Sequence, residues 1–493
     1  MLAPLPKLGA SVSAPTTRLL PSLLLLIALP AGLVLRATDA SGGILPPAAP
    51  PMAVSTPPAP DLPQLSYEKY VLPNGLEVIL HQDHLIPEVA VDVWYKVGSK
   101  DEVDRRTGFA HLFEHVMFQG SKHVPEDKHF EYLQKAGVSN ANGSTSTDRT
   151  NYFEVVPSNQ LELALWLESD RMGFLLDRPA FKETIDVQRD VVKNERRQRV
   201  ENRPMGLLER VELETLYPPT HPYHHEVIGS MEDLSAASVD DVKGFFRTFY
   251  VPNNATLVIA GDFDRDKTKA LVERYFAPIP RGLPVPRRVA VQPAITAPRS
   301  IALEAKVQQP QLTIAFSTPA NFAPGDRELD VLANILGNGK SSRLYKRLVY
   351  DLKIAQSVSA TQDSSMLASV FEITASPMPG HTLAELATAI GEEIAKLQQT
   401  PVDSVELERG KNQIESGMVR ALEPLIARAE RLQAYNTLVG DPGYLAEDLR
   451  RYRAVDAVAV QRAAQRYLAP ESHVVLTVEP NPAAPIMGRV VTK

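Results

Sequence analysis

Two histidines and a glutamate fall within five residues of one another in the run Thr107-Gly108-Phe109-Ala110-His111-Leu112-Phe113-Glu114-His115-Val116-Met117-Phe118. Apolar residues at helical spacing behind a capping residue type, Thr107, predict a helix over 107–118 with His111 and His115 at i and i+4 on one face. Imidazoles so placed can share a metal ion, and Glu114 could hold and deprotonate a water beside it without itself binding the metal. The bland alternative is two partly buried histidines satisfied by local hydrogen bonds, with Glu114 on a solvated face. A third ligand would separate the two, because catalytic zinc takes three protein ligands and leaves one position open. The chain contains no cysteine, so that ligand must be His, Asp or Glu. In the segment 180–202, written as a helix, Val187, Val191 and Val192 precede Glu195 by eight, four and three positions, which places Glu195 on an apolar stripe facing the interior. Glu201, amid Arg196, Arg197, Arg199 and Arg203, reads instead as an ion-paired face, and Glu183 lies near the helix start.

The elements that must position these residues belong to a duplicated chain. Val239-Asp240-Asp241-Val242 opens an amphipathic helix followed by the strand Ala255 to Ile259, and Val455-Asp456-Ala457-Val458 repeats the pattern before the strand His473 to Thr477. Tyr152 to Val156 before a helix from Leu161 matches Val370 to Thr374 before a helix from Thr382. The alternating segments 89–95 and 311–316 open the two halves as strands. Together these imply an α+β fold, an α/β sandwich of two homologous halves, each a mainly antiparallel sheet packed by helices, the pair forming a clamshell.

Residues 1–40 read as a signal peptide: Lys7 and Arg18 precede the apolar stretch 19–35, and Ala37 to Ala40 offers small residues for cleavage. Export to a bacterial periplasm follows, with an uncleaved N-terminal membrane anchor as the alternative and no stable membrane insertion once the signal is removed. Residues 41–65 are a proline-rich linker, 66–282 the domain carrying the histidine pair, 283–298 a second proline-rich linker, 299–480 the repeat, and 481–493 a C-terminal tail. With 44% hydrophobic and 23% charged residues over 493 positions the composition is globular. Lys+Arg 52 against Asp+Glu 59 supplies no basic field for a phosphate backbone, so nucleic acid is not an expected partner.

The motifs HLFEH at 111–115, N-G-S-T-S-T-D-R-T-N-Y at 142–152 and R-D-V-V-K-N-E at 189–195 resemble, in order and spacing, the pitrilysin/insulinase family of inverted-zincin peptidases. The resemblance covers about residues 66–480, with its specific motifs in the first half. It implies a metalloendopeptidase with one zinc ion per chain, held by His111, His115 and Glu195, with Glu114 as general base. It also implies that Asn142, Gly143, Ser144 and Thr145 form a strand edge on which an extended peptide is laid. Beyond His225 the sequence has only His381 and His473, so the second half cannot repeat the histidine pair.

Two positions depart from the family pattern. The first glutamate of the family's E-x-x-x-x-x-x-E helix is Gln188 here, which can hydrogen-bond beside the metal ligands but cannot titrate. The Arg and Tyr by which the family's second half reaches substrate align with Val349 and Gln356, leaving Arg347 or Tyr350 as displaced stand-ins. A dimer is therefore expected, as a heterodimer with a related subunit that lacks HxxEH and supplies the Arg/Tyr pair, although a homodimer or monomer stays open. The other functional readings are a catalytically silent scaffold or assembly subunit and a dedicated peptide-maturation peptidase.

Overall fold

The computed structural model describes residues 62–178, 181–289 and 292–491; the expected signal and residues 41–61 of the proline-rich segment lie outside the described residues. In chain order the first half lays down strands β1 (Glu68–Val71), β2 (Glu77–Gln82), β3 (Glu88–Tyr95), β4 (Asn140–Thr145), β5 (Thr150–Pro157) and β6 (Ala255–Gly261). The second contributes β7 (Arg299–Ala305), β8 (Gln311–Thr318), β9 (Ala355–Asp363), β10 (Ser369–Pro377), β11 (Val474–Pro480) and β12 (Arg489–Val491). The strand orders, β1-β2-β6-β3-β5-β4 and β12-β7-β11-β8-β10-β9, are the same except that one outer position is filled from the start of the described chain and the other from its end. Neighbours are antiparallel apart from the pairs β2–β6 and β7–β11. The mainly antiparallel, two-half α+β expectation holds. The tail expected at 481–493 is corrected in part, since Arg489–Val491 is a strand paired with β7.

Among the described residues the first half supplies eight α-helices: α1 (Phe109–Val116), α2 (Lys128–Lys135), α3 (Leu161–Phe174), α4 (Phe181–Arg196), α5 (Leu208–Leu216), α6 (Met231–Ala236), α7 (Val239–Phe249) and α8 (Arg265–Phe276). Six follow: α9 (Asp326–Gly337), α10 (Leu383–Gln399), α11 (Ser404–Arg420), α12 (Leu425–Val439), α13 (Leu445–Ala454) and α14 (Ala457–Tyr467). No helix among the described residues is long and apolar enough to cross a membrane.

Strand alternation sends side chains to two cores. In the first sheet Val78, Leu80, Val91, Val93, Leu257 and Ile259 pack against Leu112, Phe113, Leu165, Phe246 and Phe276 from their own half's helices. The intervening Ile79, Ala90, Val155, Val258 and Ala260 face the other way, onto Ala429 and Leu432 of α12, a helix of the second half. The exchange is reciprocal, for Val211 and Leu216 of α5 lie against Leu303, Ala315, Leu476 and Val478 of the second sheet. Each sheet is thus buried on both faces, once by its own helices and once by a helix borrowed from the other half.

Hydrogen bonds pin the borrowed helix. The Gln433 amide, fully buried, donates to the carbonyls of Asp92 and Thr256, each at 2.9 Å. Asn436 donates to Glu77 at 3.0 Å and accepts from Lys69 at 2.6 Å. Leu62 and Leu65, at the end of the proline-rich segment, pack beside Tyr435, Leu445 and Leu449, so that end of the expected linker is bound to the fold.

Candidate metal centre

Helix α1 begins at Phe109 and ends at Val116, shorter than the expected 107–118. Thr107 does not cap it: its hydroxyl and amide donate to Asp233, and the N-cap is Gly108 in the left-handed region at φ 88°. A side chain at Gly108 would meet the Ile228 carbonyl at 2.7 Å. The orphan amides are taken by Glu102, whose buried carboxylate accepts from Gly108 at 2.9 Å and from Ala110 at 2.8 Å. Leu112, Phe113 and Val116 then drive one face into the first core, and His111 and His115 share the adjoining face, ring centroids 4.9 Å apart.

Helix α4 packs against α1. Its buried face is Phe181, Thr184, Ile185, Gln188, Val192 and Arg196. The predicted stripe is corrected here, because Val187 and Val191 are 58% and 42% exposed and only Val192 enters the core. Glu195, one turn beyond Val192, sits at the margin between core and solvent. Its Oε2 lies 3.1 Å from His115 Nε2 and 3.7 Å from His111 Nε2, while its Oε1 meets Arg199 Nη1 at 3.0 Å. One donor atom from each of His111, His115 and Glu195 falls within 4.8 Å of the others. Two imidazole nitrogens and a carboxylate oxygen about 2.0–2.1 Å from a tetrahedral zinc would lie about 3.4 Å apart, a spacing the two measured separations bracket. The donor set and its spacing fit such an ion.

Burial, reinforced by the neighbouring His115 and Arg199 charges, pushes His111 down to about 3, so its imidazole is neutral and available as a ligand. Burial raises the Glu114 carboxyl above its ordinary range, against the pull of the Thr145 hydroxyl, which donates to it at 2.6 Å. Glu183 is exposed and Glu201 is paired with Arg196 at 2.7 Å, so neither joins the cluster. Gln188 is buried on the α4 face nearest the core.

Thr145 belongs to β4, the outer strand of the sheet, paired with β5 on one side and, among the described residues, unpaired on the other. Asn142, Gly143, Ser144 and Thr145 border the same cavity as the histidine pair. A Cβ at Gly143 would lie 3.0 Å from both Glu114 Cγ and Phe118 Cε2, so the strand reaches Glu114 only because the position is bare. Arg149 braces the hairpin: its guanidinium donates to the Ser144 carbonyl at 2.9 Å and to Asn151 Oδ1 at 3.0 Å, and lies over the Trp94 ring.

The cavity measures about 920 Å³, and among its described lining residues Gln311 is the one from the second half. Val349 packs against the second core and Gln356 is exposed on β9. Arg347 faces Glu392 at 3.2 Å, and Tyr350 is 54% exposed beside Tyr345. None of these four borders the cavity, so the displaced stand-ins are not brought to it. A second close trio among the described residues, His129, Glu154 and Glu168, lies in the core. Glu168 there is already engaged by the Arg171 guanidinium, whose Nε donates to it at 2.8 Å. Glu102 and Asp233 escaped the sequence reading, while Arg149 entered it only within the 142–152 motif and Arg199 only as part of a charged face, although its place four residues after Glu195 was a local signal.

A duplicated six-stranded fold with an HxxEH helix beside a glutamate-bearing helix is the arrangement expected of pitrilysin-type peptidases. Residues 77–220 match the family model for insulinase (peptidase family M16), and residues 236–414 match that for the peptidase M16 inactive domain. The chain is 30% identical over 369 residues to the zinc protease PqqE of Helicobacter pylori, covering 72% of this chain and 80% of the relative. The crystal structure of a protease from Helicobacter pylori aligns at TM-score 0.78 and 27% identity, over 84% of this chain and all of that one. That of pitrilysin aligns at 0.73 and 20% identity, over 88% of this chain and 48% of its own. The chain belongs to the insulinase (pitrilysin) family, peptidase family M16.

Proposed function

We propose that this chain is a zinc-dependent endopeptidase acting on peptides or unfolded polypeptides, with His111, His115 and Glu195 as the metal ligands. The supporting observation is the convergence of two imidazoles and one carboxylate within 4.8 Å, with the Glu114 carboxyl on the same helix beside an unpaired strand edge. Zinc held there would polarise water and the scissile carbonyl. Glu114 removes a proton from the attacking water as its oxygen bonds to the carbonyl carbon and the C=O π pair moves onto oxygen. As the C–N bond breaks, Glu114 returns that proton to the amine, leaving one new carboxylate and one new amino terminus. Its raised affinity for protons suits both steps. The free edge of β4, with Asn142 to Thr145, would pair the substrate main chain and so accept many sequences.

Because Gln311 is the one second-half residue among the described residues lining the cavity, we assign the Arg/Tyr pair to a related subunit in a heterodimer. We place the mature protein in the periplasm. The test is metal analysis and peptide-library cleavage, with and without chelator and with and without such a subunit. One zinc per chain and cleavage abolished by Glu114→Gln are expected. A chain that takes up no zinc is a silent subunit instead, and full activity of the lone chain removes the heterodimer.

A further inference from the structure

The Glu195 carboxylate divides its two oxygens, Oε2 toward the imidazoles and Oε1 toward Arg199. Arg199 lies on the π-helical turn Arg197–Glu201 that continues α4, and it borders the 920 Å³ cavity. Such turns bulge a helix and re-aim its side chains. Its neighbour Arg196 is buried and fully occupied, donating to the Gly229 carbonyl at 2.8 Å and to Glu201 at 2.7 Å. Arg199 by contrast is 69% exposed, and its pair with Glu195 is screened by water, so little is lost when the guanidinium changes partner. The other arginine on the cavity wall, Arg203, follows one turn later, and the second half offers the cavity no cation among the described residues.

Peptide hydrolysis develops negative charge on one oxygen, the former carbonyl oxygen, as the scissile carbon becomes tetrahedral. A planar cation beside the metal ligands, in a cavity that substrate will drain of water, is placed to receive it. We propose that Arg199 is a catalytic residue of this site: it leaves Glu195 when substrate binds and donates two N–H groups to the oxygen that turns anionic. This rests on the peptidase reading above. It also gives the chain a charge of its own at the reacting carbon, whichever subunit closes the cavity.

The probe is a phosphinic peptide, whose tetrahedral anionic phosphorus replaces the scissile carbonyl, compared with the matching uncleaved peptide. Both are titrated by calorimetry into zinc-loaded Glu114→Gln protein, and zinc content is measured alongside. Adding Arg199→Ala should weaken the phosphinic peptide about 100- to 1,000-fold, and the ordinary peptide less than about threefold, with one zinc retained. Arg199→Lys should recover part of the loss, and Arg203→Ala should change neither affinity by more than about threefold. Equal weakening of both peptides, unchanged phosphinate affinity, or loss of zinc from Arg199→Ala would each overturn the assignment. A parent protein that binds no zinc, or that cleaves no peptide even with the related subunit present, fails the peptidase reading itself, a result recognisable before any Arg199 variant is made.

Discussion

At the scale of single residues the candidate site depends on side chains outside the cluster of His111, His115 and Glu195. Glu102 closes the amino end of α1 by accepting two of its amides from a fully buried position. Glu102→Ala leaves both without partners and should cost about 1–3 kcal/mol in thermal or denaturant unfolding, with weaker zinc retention because His111 is only one turn away. Gly143→Ala drives a methyl group against Glu114 Cγ and Phe118 Cε2. It should lower kcat about 10- to 100-fold while Tm moves little, which steady-state kinetics and calorimetry together can check. The histidine pair, Glu114 and Glu195 were readable because helical periodicity puts i and i+4 on one face and the family motifs mark the rest. Glu102 and Asp233 were not, since they reach α1 from a separate turn and from α6, and no spacing in the sequence announces a cap that arrives from outside its own helix.

At the scale of elements, α4 carries Glu195 to the histidine pair as the sequence reading expected, but with a different buried face. Val187, Val191 and Glu195 do lie along one i, i+4 ridge, but the core contacts only the flank carrying Ile185, Gln188 and Val192. A carboxylate at the boundary of a buried stripe is easily read as being inside it. The strands were legible from alternation in the halves' first segments, and the repeated patterns pointed to two homologous halves, each built on its own sheet. What the pattern could not say is which sheet a helix covers: Ala429 and Leu432 look like any amphipathic stripe, yet they serve the opposite half. Gln433 is the discriminating residue. Gln433→Leu removes its two bonds to the Asp92 and Thr256 carbonyls and should destabilise the protein by about 1–3 kcal/mol, read from the urea midpoint.

For the whole molecule, acid and base act at the seam between the halves in opposite senses. Glu77, in the first sheet beside Asn436 of the borrowed α12, is held down at about 2: burial opposes its ionisation, but hydrogen bonds from Lys96 and Lys69 outweigh that. Its folded value lies below the unfolded one, so its contribution is complete above about pH 4.5 and is lost as pH falls toward 2. Glu212 of α5 is shifted upward, by burial and then by the adjacent Glu372 on β10 of the other half. The folded chain therefore holds that proton more tightly than the unfolded one, and stability declines as pH rises above the ordinary carboxylate range. The unfolding temperature should be highest on the mildly acidic side, falling below about pH 4.5, and Glu212→Gln should flatten the decline on the alkaline side. Thermal scans between pH 3 and 9 on both proteins check it.

The exchange of α5 and α12 also constrains how the polypeptide can be made. When residues 66–282 have left the ribosome, the first sheet can close over its own helices, but Ile79, Ala90, Val155, Val258 and Ala260 stay bare until 425–439 emerge. That interval leaves a greasy sheet surface open to neighbouring nascent chains. A fragment ending near residue 282 should therefore aggregate when produced by itself and become soluble when a separate fragment carrying 299–493 is produced alongside it.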